Sequence, residues 1–279
     1  MCSSIIIGAV LGLAASKCIE PSHEPASRRP KFEPEWEKNR MSAKYWRRLS
    51  HETELWRQGL SLVAGADEAG CGPLAGPVVS AAVMFPSSWL ESGLHSKLRG
   101  LNDSKQLDEE QREKFFAIIT SHPEIRYAVA TIDVETIDRI NIRQAAWRGM
   151  QVALDQLQPR PQHVLIDGLR IKWLPYAQTA LVDGDAKSYT IAAASVLAKV
   201  TRDRLMREYD QLHPGYGFAS HKGYATPQHL ASIASLGPCA IHRKSFWPFR
   251  PVETELDLFA PALPARTVER NSLPNPNGP

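Results

Sequence analysis

Cysteine is scarce in this chain: Cys2, Cys18, Cys71 and Cys239 are the only four in 279 residues. They are widely spaced and form no CxxC pair, which excludes a disulfide framework and a cysteine-based zinc site. Long apolar runs are also missing. Ile5 to Ala15 is 11 residues long, short of the roughly 20 that a bilayer-spanning helix needs. Nor is there an excess of one charge. Lys and Arg number 33 against 30 Asp and Glu, a net +3, so the chain does not announce a nucleic-acid binder by composition. What is present is ordinary for a soluble globular protein, 43% hydrophobic and 23% charged, which excludes disorder of the whole chain. The length allows one large domain or two small ones, either with a real core.

The ends differ from the middle. Residues 1–40 combine the short apolar run with Pro21, Pro25, Pro30 and Pro34 among charges. No Lys or Arg precedes the run, as a signal peptide would require, and Lys17 breaks a lipoprotein pattern before Cys18. The segment is expected to be a disordered leader, or a stretch upstream of a start at Met41. Residues 251–279 hold six prolines and no long apolar period, the composition of a disordered tail. The working region is about 41–250 and contains no internal repeat.

Within it, strand and helix signals alternate. Leu62–Ala66 reads as a short strand ended by acids and glycines, and Pro77–Phe85 as a second, buried strand after a tight turn at Gly70–Gly76. Leu107–Thr120 has acids first and Phe115, Phe116, Ile118 and Ile119 later, a helix expected to be capped by Asp103 or Ser104. Ile125–Ile132 is strand-like. Ala146, Met150 and Leu154 give Ile142–Leu157 a helical period. His163–Ile166 and Thr179–Val182 are further short strands, and Ser188–Leu212 is a long helix. Thr226 caps a last helix with Pro227 in its first turn, and Gly237–Pro238 stops it. This interleaving predicts an α/β layer fold.

Carboxylates stand at three of the expected strand ends: Asp67–Glu68, Asp167 and the Asp183–Gly184–Asp185 group. Sites in open α/β sheets form beyond the carboxyl ends of strands. Hard oxygen donors with no convergent Cys or His suit Mg²⁺ or Mn²⁺, and clustered carboxylates repel one another unless cations intervene. Each acid could instead be a turn residue, because Asp–Gly is a common turn pair.

The stretch Val63–Pro77, reading VAGADEAGCGPLAGP, resembles the opening motif of the ribonuclease HII (type 2 ribonuclease H) family. Further matching strings follow in the family's order. They are Asn102–Lys105, Ile166–Gly168, Gly184–Ser188, Ala192–Ser195 with Ala198–Asp203, His221–Thr226 and His242–Phe246. The similarity spans about 62–250 and leaves both ends outside it. It implies a ribonuclease-H-like fold, a mixed five-stranded sheet flanked by helices, with C-terminal helices. It also implies that Asp67, Glu68, Asp167 and Asp185 are the catalytic carboxylates and hold two divalent ions, Mn²⁺ or Mg²⁺. Asp185 is preferred to Asp183 because it occupies the Gly-Asp-x-Lys-Ser pattern. Asp203 is the next candidate, although Lys199 four residues earlier offers it a surface ion pair.

The implied reaction is cleavage on the 5′ side of a ribonucleotide in RNA–DNA hybrids or in duplex DNA with embedded ribonucleotides, leaving 3′-hydroxyl and 5′-phosphate ends. The implied 2′-hydroxyl reader is the loop Gly70–Cys71–Gly72, with Cys71 where the family has arginine. Tyr224 corresponds to a tyrosine that packs on the next sugar, and Lys105 and Lys187 are candidate phosphate contacts. The expected enzyme is a cytoplasmic monomer with no membrane partner. A binding protein that has lost catalysis and an exported protein are the alternatives. Residues 199–250 carry eight basic side chains against three acidic ones. The even total therefore conceals a basic part suited to phosphates.

Overall fold

A computed structural model describes residues 47–249; the expected leader (1–40) and tail (251–279) lie outside them. In chain order the elements are α1 Ser50–Arg57, β1 Val63–Ala69, β2 Val78–Met84, α2 Trp89–Ser92, a 3₁₀ turn Ser96–Leu98 and α3 Glu109–Ser121. Then follow β3 Arg126–Ile132, α4 Val134–Ile140, α5 Ile142–Gln156, β4 His163–Asp167 and β5 Gln178–Leu181. The chain continues with α6 Gly184–Lys187, α7 Tyr189–Leu212, α8 Phe218–His221 and α9 Pro227–Leu236.

The five strands form one mixed sheet in the order β3-β2-β1-β4-β5. β1 and β2 pair antiparallel, as do β2 and β3. β1 runs parallel to β4, and β4 parallel to β5. Successive side chains of a strand point to opposite faces. Val63 and Leu165 therefore pack with Ile191–Val200 of α7 on one face. Ala64, Ala66, Val164 and Ile166 pack with Met150, Ala153 and Leu154 of α5 on the other. Close approach sets the helix positions. At Gly65 a Cβ would lie 2.3 Å from the backbone nitrogen of Ile191, so α7 rests directly on β1. A third cluster, including Leu74, Met206, Phe218, Ile233 and Ile241, seats the C-terminal helices beside the β1–β2 loop.

Several expectations need correction. β1 does not stop at Ala66. It runs on through Asp67, Glu68 and Ala69, which pair with Ala81, Ser80 and Val79, so ladder bonds override the poor strand propensity of the acids. The cap of α3 is Asp108, not Asp103 or Ser104; it accepts from Gln111 N at 2.8 Å while Gln111 answers as a capping box. Asp103 instead closes a turn, accepting from Lys105 N at 2.8 Å. The helices α1 and α4 were not foreseen. The last helix matches its signals: Thr226 caps it, Pro227 opens it and Gly237 ends it.

Candidate active site

Parallel pairing sets the first feature of the site. Ala66 lies opposite Ile166, so the next residues, Asp67 and Asp167, stand side by side at the same end of adjacent strands. Both share the α7 face with Val63 and Leu165, and Glu68 points the other way. Asp67 is buried, and its Oδ1 accepts the Glu68 N–H at 2.7 Å. Asp167 Oδ1 accepts from Gly184 N at 2.6 Å, which ties β4 to α6. Asp185 follows on that single helical turn and is buried. Asp183 is exposed and holds a left-handed φ of 53°, so of the two only Asp185 faces inward.

Charge repulsion marks these side chains as one group. Burial, then Glu68 and Asp167, push the Asp67 carboxyl well above the usual range. Burial raises Glu68 as well, opposed by a hydrogen bond from Cys71 and reinforced by Asp167. Asp185 is raised to about 6 by burial and by Asp103 and Asp167. Lys105 is the cation that answers them. Partial burial opposes its charge, but Asp103, Asp185, Asp67 and Asp167 outweigh that and raise its pKa. Lys187 is turned elsewhere, donating to the Val182 carbonyl at 2.5 Å. Asp203 lies outside the group, paired with Lys199 at 2.8 Å. That pair is not the surface pair expected, since the Asp203 side chain is only 8% exposed.

Four oxygen-donor carboxylates and one facing ammonium make a set suited to hard divalent cations. Among the described residues, no three His, Cys, Asp or Glu side chains form a ready-made metal cage.

The glycine loop lies next to these acids. Gly70 has φ +99°, and a Cβ there would meet Arg202 Nε at 2.1 Å. Cys71 donates its thiol to Glu68 Oε1 at 3.4 Å, and burial pushes that thiol up to about 12. A Cβ at Gly72 would sit 3.6 Å from the ring of Tyr224, which is 46% exposed. Tyr224 is held through its backbone: its carbonyl accepts a hydrogen bond from His229 Nδ1 at 2.9 Å. Each neutral imidazole has one donor and one acceptor. His229 Nε2 must then accept from His242 Nε2, 3.1 Å away, while His242 Nδ1 accepts from Cys239 N at 2.9 Å.

Sequence reasoning missed several supports of this site. Glu52 on α1 is buried and accepts from Ser188 Oγ (2.6 Å), Thr190 N (2.9 Å) and Thr190 Oγ1 (2.9 Å), fixing the start of α7. Arg48 donates to the Asp185 carbonyl at 2.6 Å. Asp103 bears on Asp185, and only its place in the Asn102–Lys105 string hinted at that. Arg202 and Arg243 are buried behind the loop, and only their places in the Ala198–Asp203 and His242–Phe246 strings hinted at them.

The family model described as Ribonuclease HII matches residues 64–248. A Ribonuclease HII of Anaeromyxobacter sp. (strain Fw109-5) is 48% identical over 76% of this chain and 66% of that protein, just under two thirds of its length. The ribonuclease H2 of Pyrococcus horikoshii OT3 superposes with a TM-score of 0.56 at 28% identity, covering 67% of this chain and 95% of the other. The structure of the PCNA:RNase HII complex from Archaeoglobus fulgidus gives 0.54 at 25% identity, over 65% of this chain and 93% of that one.

Proposed function

The chain belongs to the ribonuclease HII family, and from that premise we propose that it is a metal-dependent endoribonuclease. It hydrolyses the phosphodiester 5′ of a ribonucleotide in RNA–DNA hybrids and in duplex DNA with embedded ribonucleotides. The observation that carries this reading is the placement of Asp67 and Asp167 one residue beyond the Ala66–Ile166 pair of parallel β1 and β4, with Glu68 and Asp185 close enough to repel them. The family match at 64–248 supports a catalytic region within 41–250.

Asp67, Glu68, Asp167 and Asp185 would hold two Mg²⁺ or Mn²⁺ ions. Such ions, when bound, supply an activated water and stabilise the leaving oxygen of an in-line displacement. The carboxylates themselves keep the ions in place, and no side-chain nucleophile is needed. Water oxygen bonds to phosphorus, and the bond to the 3′-oxygen of the preceding nucleotide breaks. That oxygen leaves as a 3′-hydroxyl, and the ribonucleotide keeps a 5′-phosphate.

Choice of RNA over DNA falls to the 2′-hydroxyl, the atom that differs. The Gly70–Cys71–Gly72 backbone is the proposed reader, with Tyr224 packing on the following sugar. Lys105 faces the acids and is the nearer phosphate contact; Lys187 must first release the Val182 carbonyl. The free thiols of Cys71 and Cys239 suit a reducing compartment, and the proposed enzyme is a cytoplasmic monomer. Among the described residues no helix is long and apolar enough to cross a membrane.

The test is incubation of a DNA duplex carrying one ribonucleotide, with and without Mg²⁺ or Mn²⁺, with product ends mapped. One cut 5′ of the ribonucleotide, dependent on the metal, is expected. Binding without cleavage in either metal would replace this reading with that of a nucleic-acid-binding protein.

A further inference from the structure

Two arginines lie behind the glycine loop, Arg202 at 1% and Arg243 at 0% exposure. Neither has an ion-pair partner among the described residues. Their donors go to backbone carbonyls instead. Arg243 Nη2 reaches Gly70 O at 2.6 Å and Pro77 O at 3.2 Å; its Nη1 reaches Cys71 O at 3.0 Å, and its Nε reaches Gly76 O at 2.9 Å. Arg202 binds the carbonyls of Pro77, Ala75 and Lys222, each at 3.0 Å. Burying two like charges together is costly when no carboxylate pairs with either directly and Asp203 and Asp138 act only from a distance. A smaller neutral residue could fill such a core at less cost. The arrangement therefore calls for a role in what the loop does.

The peptide geometry supplies one. In a trans peptide the C=O and the following N–H point in opposite directions, and the peptides joining residues 70–72 are trans. With the Gly70 and Cys71 carbonyls turned inward onto Arg243, the N–H groups of Cys71 and Gly72 face outward. Among the described residues, no backbone acceptor pairs with either N–H. Both belong to peptides whose oxygens bind a buried cation, and such polarisation strengthens the opposite donor by about 10–30%. The segment that brings Arg243 is itself fastened to the loop. Gly76 N donates to Ile241 O (2.9 Å) and Arg243 N to Leu74 O (2.8 Å), and Asp138 accepts from Lys244 N and Ser245 N, each at 2.9 Å.

We propose that Arg243, backed by Arg202, is a specificity-determining positioning residue: it turns the Gly70 and Cys71 carbonyls inward and so aims the Cys71 and Gly72 N–H groups at the ribose 2′-hydroxyl. The device needs no cation at position 71, so a cysteine there leaves it intact. It rests on the loop's role in the proposed function.

The test uses the full chain with Asp67→Asn, so that binding is measured without turnover. Dissociation constants are compared for one duplex with a single ribonucleotide and the same duplex in all-DNA form. The parent is expected to prefer the ribonucleotide, and adding Arg243→Lys, which keeps the charge but loses the fork, is expected to cut that preference about tenfold. A merely structural role would weaken both duplexes alike and leave the ratio unchanged, and that result overturns the inference alone. A parent without any ribose preference overturns the functional reading and this inference together. Should the lysine variant fail to fold, amide NMR on the parent decides. Shifts at Cys71 and Gly72 with the ribonucleotide duplex but not with the DNA duplex are expected; their absence overturns the inference.

Discussion

Cys71 sits between two glycines, half-buried, with its thiol on a carboxylate assigned to the metals. Burial and the neighbouring Glu68 push that thiol up to about 12 from the ordinary 9.0. At pH 8 its thiolate fraction is then roughly 1,000-fold below that of an ordinary free thiol, and thiolate is the reactive form. Alkylation by iodoacetamide, followed by mass spectrometry of the Cys71 peptide in the folded protein, is expected to be slower by about that factor. Modification at the rate of a free thiol would contradict the buried donor. Tyr224 is the opposite case, with nearly half its surface open and its main chain held by His229. Stripping a ring that stacks on substrate costs on the order of 1–3 kcal/mol. Tyr224→Ala is thus expected to lower kcat/KM on a single embedded ribonucleotide by about tenfold or more, and an unchanged rate would remove Tyr224 from recognition.

At the scale of elements, the site is built from the ends of β1 and β4 and the turn α6, so its acids are pressed together before any cation arrives. Asp185 is raised to about 6, and Asp67 and Glu68 are raised too. A carboxyl with a raised folded pKa binds its proton more tightly folded than unfolded, where it titrates near 4. The contribution of Asp185 to stability therefore falls as pH rises from about 4 through about 6 and stays low above that, and those of Asp67 and Glu68 fall in the same direction. In the proposed function, divalent cations would take the place of those protons. The melting temperature of the EDTA-treated protein is expected to rise more on adding Mg²⁺ or Mn²⁺ at pH 7.5 than at pH 5. An equal or larger gain at pH 5 would contradict the coupling.

Elements also divide into those readable in sequence and those not. The last helix was readable because Thr226, Pro227 and Gly237 act locally. α5 was readable because Ala146, Met150 and Leu154 face one sheet. The end of β1 was not, because its acids are held as strand by pairing with Ser80 and Ala81, far along the chain. Nor was the Asp108 cap, since Asp103 and Ser104 carry the same local signal and only the turn at 103–106 separates them.

Across the whole molecule, the near-neutral total charge divides by region. The acids gather at one end of the interior strands β1 and β4, whereas residues 199–250 are basic and supply the two arginines behind the loop. Asp67, Glu68, Asp167 and Asp185 were identifiable from family-like strings, and the fold brings them into one electrostatic group. Arg202 and Arg243 stand in such strings too, but their role was not identifiable, because their partners are backbone carbonyls, which leave no trace in side-chain pattern. The central claim is that this carboxylate group holds the cations that cleave next to a ribonucleotide. Its most direct test compares wild type with Asp67→Asn on a duplex carrying one ribonucleotide in Mg²⁺. The variant is expected to fold, to melt no lower than wild type without metal, and to lose at least about 100-fold in rate, the scale of removing one preorganised electrostatic group. Turnover like that of wild type by the folded variant would contradict the claim.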